Sequence, residues 1–245
     1  DNGPKFGSVK LKVDGKPVVV SVLCKGAGMI EPNMATMLCY LMTDAAVDGK
    51  ALAATLKEAV RESFNRISVD GDMSTNDTVL LFANGAAGNR PLKPGHPAWP
   101  AFSAAVLALC QKMAWKIIRD GEGARKVIRV EVVGARTAKD ADIAARSVAN
   151  SLLVKTSWYN DYPNFGRVMD ALGYSAAKVV ENKVDIAYDG KLLVKGGLRT
   201  KIDVEEIKAV QRQELFTIRI NLHLGQGAAH VYGCDCAHAY IDINI

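Results

Sequence analysis

VKLKVDGKPVVV (9–20) and VDIAYDGKLLV (184–194) follow one pattern. In the first, Val9, Leu11 and Val13 alternate with Lys10 and Lys12, and Val18 and Val20 resume the alternation after Asp14-Gly15. A period of two marks a strand with one buried face, and Asp-Gly supplies the left-handed backbone of a two-residue hairpin turn. The reading extends outward from these two hairpins. ATMLCYLMT (35–43) is an apolar run that predicts a buried strand. VLLFANG (79–85) and VIRVEVV (127–133) predict two more. In TIRINLHLGQGAAHVYGCDCAHAYIDINI (217–245), Ile218, Ile220, Leu222 and Leu224 alternate with polar residues. This stretch predicts a hairpin turning at Gly225-x-Gly227 and a further strand through IDINI.

Helical spacing occupies the intervals. Leu52, Leu56, Ala59, Val60 and Phe64 share a face over 48–66. Phe102, Val106, Leu109, Met113 and Ile117 share one over 100–119. Shorter helices are expected at 139–153, 165–173 and 203–213. The helices cluster between hairpins and do not alternate with single strands. The expected fold class is therefore α+β, with layered helices and largely antiparallel or mixed sheets, not a doubly wound nucleotide-binding fold.

The 245 residues suffice for a large core, since a chain of this size can bury about 70% of its unfolded surface. Hydrophobic residues make up 49% and charged residues 23%, which argues against disorder. The net charge is +5 with no basic arm, so neither nucleic acid nor an anionic membrane is an expected partner. The longest apolar run, PVVVSVLC, is far shorter than a membrane span. Five cysteines, Cys24, Cys39, Cys110, Cys234 and Cys236, lie mostly in apolar runs. They read as buried free thiols of a reduced compartment, which places the protein in the cytoplasm. A chain that starts at Asp1 and stops within IDINI reads as a piece of a longer precursor.

Familiar catalytic signatures fail on inspection. Gly225-x-Gly227 lacks the third glycine of a dinucleotide site, and Gly26-x-Gly28 lacks the Lys-Ser/Thr of a phosphate loop. His96, His223, His230 and His238 are scattered, and Cys234-x-Cys236 has no second ligand cluster, so no metal is expected. No G-x-S-x-G elbow exists. One constellation stands apart. A Gly-rich loop carries Lys25, and a Pro-bearing connector leads to Ala35-Thr36. A cut between Ala35 and Thr36 would put a hydroxyl and a free α-amine on one residue. An α-amine with a pKa of about 7.7–8 can take the hydroxyl proton, so no separate histidine base is needed. The plainer reading is that Thr36 simply opens a strand, as its β-propensity favours.

KGAGMIEPNMATML (25–38) carries a resemblance. With SVDGDMSTNDTVLLFANG (68–85), DGEGARK (120–126), PNFGRVMDALGYS (163–175) and GCDCAHAYIDIN (233–244), it is similar to the ornithine acetyltransferases of cyclic arginine biosynthesis. The resemblance implies the self-cleaving, N-terminal-threonine-nucleophile form of the α+β class. It implies autoproteolysis between Ala35 and Thr36, so that 1–35 is the tail of an α product chain and 36–245 the β product chain. It implies ping-pong transfer through acetyl-Thr36, from N2-acetylornithine to glutamate with release of ornithine. Lys25, Thr36, Glu122 and Asn244 match its substrate-binding positions. No cofactor is implied, although some members accept acetyl-CoA as co-substrate, and the assembly implied is α2β2.

Three departures accompany it. The family's N-terminal portion, which holds a Thr-Gly oxyanion hole worth about 3–4 kcal/mol per donor, is missing from this chain. A C-terminal Thr or Ser that binds substrate in the family has no counterpart. The family's DPNWGR reads Tyr162-Pro163-Asn164-Phe165-Gly166-Arg167, with the acidic residue displaced to Asp161. Two other readings compete with the transferase. One is an aminopeptidase or amidase of the same self-cutting architecture, with water as acyl acceptor. The other is a non-catalytic subunit that completes a partner's sheet.

Overall fold

A computed structural model describes residues 1–31 and 37–245. Ala35 and Thr36, the expected cleavage pair, lie outside the described residues. The chain divides into two compact units, Asp1–Ile67 with Asp72–Asp120, and Ser68–Gly71 with Gly121–Ile245. The boundary expected between product chains, 35/36, falls inside the first unit.

The first unit is a four-stranded sheet, β1 (Lys5–Val13), β2 (Lys16–Lys25), β3 (Leu38–Thr43) and β4 (Thr78–Ala83), in that order. Asp14 and Gly15 make the first hairpin at φ 50° and 80°, as the Asp-Gly signal requires. β3 runs antiparallel to β2 and parallel to β4. Helices α1 (Gly49–Arg61) and α2 (Trp99–Arg119) pack on the sheet's buried side. Their starts follow from local chemistry. Asp48 caps α1 by accepting from Ala51 N, and Pro100 sits in the first turn of α2. All five residues of the expected α2 stripe are buried. This helix is long and apolar enough to cross a membrane, but its stripe is the core of this unit.

Two expectations change here. α1 buries Ala51, Thr55 and Ala59, while Leu56 and Val60 are only half-buried, because they face a cavity. β3 is not buried on both faces. Cys39, Leu41 and Thr43 point into the core, but Tyr40 and Met42 are exposed. The pleat continues this bare face across the sheet. Phe6 opposes Leu23, Leu23 opposes Tyr40, Tyr40 opposes Leu80, and Met42 opposes Phe82, all exposed. The apolar run of β3 thus reflects two different surroundings, a core and an uncovered sheet face.

The second unit is built on β5 (Val127–Ala135), β6 (Asp185–Tyr188), β7 (Lys191–Lys195), β8 (Leu198–Arg199), β9 (Leu215–Asn221) and β10 (Gly227–Cys234). The sheet order is β10-β5-β9-β6-β7-β8. Its helices are α3 (Ala138–Asn150), α4 (Leu152–Tyr159), α5 (Phe165–Gly173), α6 (Val204–Gln211) and α7 (His238–Asn244). The core joins Val130 and Val132 of β5 and Ile218 and Ile220 of β9 to Ala144, Val148, Trp158 and Leu172 of the helices. The Asp189-Gly190 hairpin forms as expected, at φ 44° and 82°.

Three expectations are corrected in this unit. The single helix at 139–153 is two helices. Ser151 leaves the helical conformation and caps the next helix by accepting from Val154 N. The expected β9–β10 hairpin does not form. β10 pairs antiparallel with β5, and β5 pairs parallel with β9, so β5 lies between them. The glycines of the connection serve its passage across the end of β5. A Cβ on Gly225 would lie 2.7 Å from Ala135 O, and one on Gly227 2.2 Å from the carbonyl of Thr137. Finally, the IDINI strand is helical, in α7. Ile241, Ile243 and Ile245 are exposed and pair with no sheet edge, so the backbone bonds internally.

Candidate active site

In the first unit three strand ends meet at one edge of the sheet. Lys25 closes β2, Leu38 opens β3 and Thr78 opens β4, and the register sets Lys25 opposite Leu38 and Leu38 opposite Thr78. Gly26 turns the chain here at φ 149°. A Cβ on it would lie 3.2 Å from Met37 Cβ, so glycine permits the Lys25 loop to pass over Met37. Met37 is held from the other side by the polar turn at 74–78. Its N–H donates to Asp77 Oδ1 at 2.7 Å, and its carbonyl accepts from Thr78 N at 3.1 Å. The turn shapes itself, since Asn76 N donates to Ser74 Oγ and Thr78 Oγ1 to Asn76 O. A cavity of about 670 Å³ opens beside it, lined by Ile30, Met37, Leu56, Val60, Phe64 and Asp77.

Burial raises the Asp77 carboxyl above its ordinary value, against the Met37 N–H and the Lys25 charge, which both lower it. Asp77 Oδ2 is buried without a hydrogen-bond partner among the described residues. Two thiols of this unit are quiet. Contact with Cys24 and burial push Cys39 far up, and burial pushes Cys110 up to about 12. Both stay protonated near neutrality and are poor nucleophiles.

In the second unit Glu122 and Asn244 come together although 122 residues separate them. Asn244 Nδ2 donates to Glu122 Oε2 at 2.9 Å and to Tyr240 O at 2.9 Å. Two devices place them. Gly123, at φ 69°, receives α7 closely, since a Cβ there would lie 2.6 Å from Tyr240 N. Asp235, 2% exposed, accepts from the backbone N–H of Arg125 at 2.9 Å and Lys126 at 2.8 Å. One buried carboxylate therefore pins the start of β5 to the turn that precedes α7. Tyr240 OH donates to Asp70 Oδ2 at 3.3 Å, tying α7 to the 68–71 segment.

Asp161 and Cys234 are held in internal bonds. The displaced Asp161 pairs with the buried ammonium of Lys126, which also donates to Trp158 O at 2.7 Å. Lys155, 2% exposed, donates to Cys234 O and, at 3.6 Å, to Cys234 Sγ. Cys234 in turn donates to Val69 O at 3.4 Å, so this half of the Cys-x-Cys pair joins a hydrogen-bond chain.

Of the residues singled out from the sequence, Glu122 and Asn244 are in contact. Lys25, in the other unit, gathers with Met37 and Asp77. Asp77 and Asp235 were not singled out. Both act by accepting backbone N–H groups, and such a role leaves no spacing pattern. Their only signal was membership of the quoted stretches 68–85 and 233–244.

The sequence profile of the ArgJ family matches residues 1–245. The chain is 44% identical to the arginine biosynthesis bifunctional protein ArgJ of Geobacillus stearothermophilus over 244 residues, which is 100% of this chain and 60% of that protein. It is 43% identical to the Bacillus subtilis protein of the same name, over 96% of this chain and 58% of that one. The Halalkalibacterium halodurans protein matches at 43% over 233 residues, 57% of its length. A crystal structure of arginine biosynthesis bifunctional protein argJ from Bacillus halodurans superposes with a TM-score of 0.78 at 40% identity, covering 84% of this chain and 97% of that one. The chain thus spans about 60% of the length of the curated relatives it matches.

Proposed function

The chain belongs to the ArgJ family, and from that premise we propose that, within a longer protein, it carries the nucleophile of an acetyltransferase of arginine biosynthesis. The observation that carries this reading is the match across all 245 residues, which includes the 25–38 stretch around Ala35-Thr36. The precursor cuts itself between Ala35 and Thr36. The Thr36 hydroxyl then attacks the acetyl carbonyl of N2-acetylornithine. The free α-amine of Thr36 takes the hydroxyl proton and passes it to the departing ornithine amine. Glutamate attacks the acetyl ester through its own amine, forms N-acetylglutamate and restores the threonine. Oxyanion donors come from the portion of the protein outside this chain. Lys25 pairs with a substrate carboxylate, Glu122 with a substrate ammonium, and Asn244 fixes Glu122 while offering an amide hydrogen bond. Acetyl-CoA as a second donor and an α2β2 assembly complete the proposal, and no metal or cofactor takes part.

The length of the solved Bacillus halodurans chain supports the cut. The matched 84% of 245 residues is about 206, and these make up 97% of that chain, which is therefore about 212 residues long. The Halalkalibacterium halodurans relative, of which 233 residues are 57%, has about 409.

The experiment is acetylornithine turnover by the full-length protein, with and without glutamate, alongside intact mass of the denatured sample. Turnover that needs glutamate, together with two product masses, is expected. Equal turnover without glutamate makes the protein an amidase. Lys25→Ala is expected to raise the KM for acetylornithine by about tenfold or more, as loss of a charge-assisted bond does, while the extent of cutting stays the same. Steady-state kinetics with intact mass checks this, and an unchanged KM removes Lys25 from the substrate site.

A further inference from the structure

The N–H that Asp77 accepts belongs to the peptide bond joining Thr36 to Met37. The nitrogen of Met37 is three covalent bonds from the nitrogen of Thr36. The carboxylate therefore grips the backbone at the first group beyond the nucleophile, while Thr78 N holds the carbonyl of Met37. The grip is braced on both sides. Thr78 begins a strand in register with β3, and the 74–78 turn bonds to itself. Burying a carboxylate oxygen without a partner is costly, yet Asp77 Oδ2 has none among the described residues. A polar group held at such cost beside the 670 Å³ cavity calls for a task beyond packing.

We propose that Asp77 is a positioning residue for Thr36, acting on it through the Met37 N–H that it accepts. The proposal rests on Thr36 as nucleophile and adds a residue that touches neither substrate nor the acetyl group. An acceptor at this point sets the geometry of attack in self-cleavage and in acetyl transfer alike. A nucleophile displaced by about 1 Å loses about a hundredfold in rate, so the effect belongs in kcat and not in KM.

The test uses the full-length protein with Asp77→Ala and Asp77→Asn, measuring the rate of cutting, kcat and KM per processed molecule, and the melting temperature. Asp77→Ala is expected to slow cutting and to lower kcat by about 10- to 100-fold, with KM within about twofold. Asp77→Asn keeps an oxygen that can accept the Met37 N–H, and is expected to restore both rates to within a few-fold. A complete failure of the Ala variant to cut, with the Asn variant cut and active, supports the proposal equally. It is overturned if Asp77→Ala keeps its kcat, if KM rises instead, or if a folded Asp77→Asn is as slow as the Ala variant. Failure of the nucleophile reading is separable. In that case mass spectrometry finds no acetyl group on Thr36 when the wild-type protein is given acetylornithine without glutamate, and the proposal falls with it. If Asp77 alone is wrong, Thr36 of the Asp77→Ala variant is acetylated at the wild-type rate.

Discussion

Thr36→Ala is expected to leave the full-length protein as one uncut chain with acetyl transfer reduced by at least about 10⁴-fold. The size of the loss follows from the economy of the site. In the proposed mechanism a single residue supplies the hydroxyl that attacks and, once freed, the amine that takes its proton, so one substitution would remove nucleophile and base together. Alanine keeps the backbone hydrogen bonds of Met37, which do not involve the residue 36 side chain. The melting temperature should therefore stay near that of the uncut wild type, and intact mass with a transfer assay reads the rest. Thr36→Ser should give partial cutting and partial activity. Serine keeps the hydroxyl but lacks the methyl that restricts χ1. Wild-type activity in Thr36→Ala would return the chain to a non-catalytic role.

Gly227→Ala is expected to cost about 2–3 kcal/mol, a fall in melting temperature of about 6–10 °C. The added carbon would lie 2.2 Å from both the carbon and the oxygen of the Thr137 carbonyl and 2.8 Å from Ala138 N. These are backbone atoms at the start of α3, where Thr137 caps the helix by accepting from Asp140 N at 3.0 Å. No side chain can rotate away, so either the helix start or β10 must move. Gly49→Ala is the control. It has open space around its Cα and sits in the first turn of α1, so its melting temperature should be unchanged or slightly raised. Thermal unfolding of the two variants beside wild type decides. A neutral Gly227→Ala would mean that the crossing is looser than the distances indicate.

The sequence revealed most where a signal is local. Asp14-Gly15 and Asp189-Gly190 announce their turns because few residue pairs accept two left-handed conformations in succession. The α2 stripe reads directly because all five of its positions face one core. Misreadings came where a distant segment decides. Nothing in 217–234 reveals that β5, some 80 residues earlier, slides between β9 and β10. The alternation of Ile241, Ile243 and Ile245 has no sheet edge to pair with and becomes a helix. Ser151 could have been read as a cap, but the apolar spacing on both sides masks the break. In the site, Glu122 and Asn244 were named from a resemblance, whereas their contact depends on Gly123 and Asp235. Asp77 was invisible for the same reason, because what it recognises is main chain.

The pairing of β2 with β3 bears on what the proposed cut does to the molecule. The four strands of the first sheet come two from each side of the 35/36 bond, β1 and β2 before it, β3 and β4 after it. The ladder from Val20–Thr43 to Lys25–Leu38 crosses from one product to the other within a single sheet. Cutting the bond would therefore make two polypeptides without making a surface along which they could part. Val18, Val20 and Val22 of one product and Cys39 and Leu41 of the other are buried in a common core. Separating the pieces would mean unfolding the unit. The two products would behave as a permanent pair, with no free-subunit equilibrium and no affinity to measure short of denaturation.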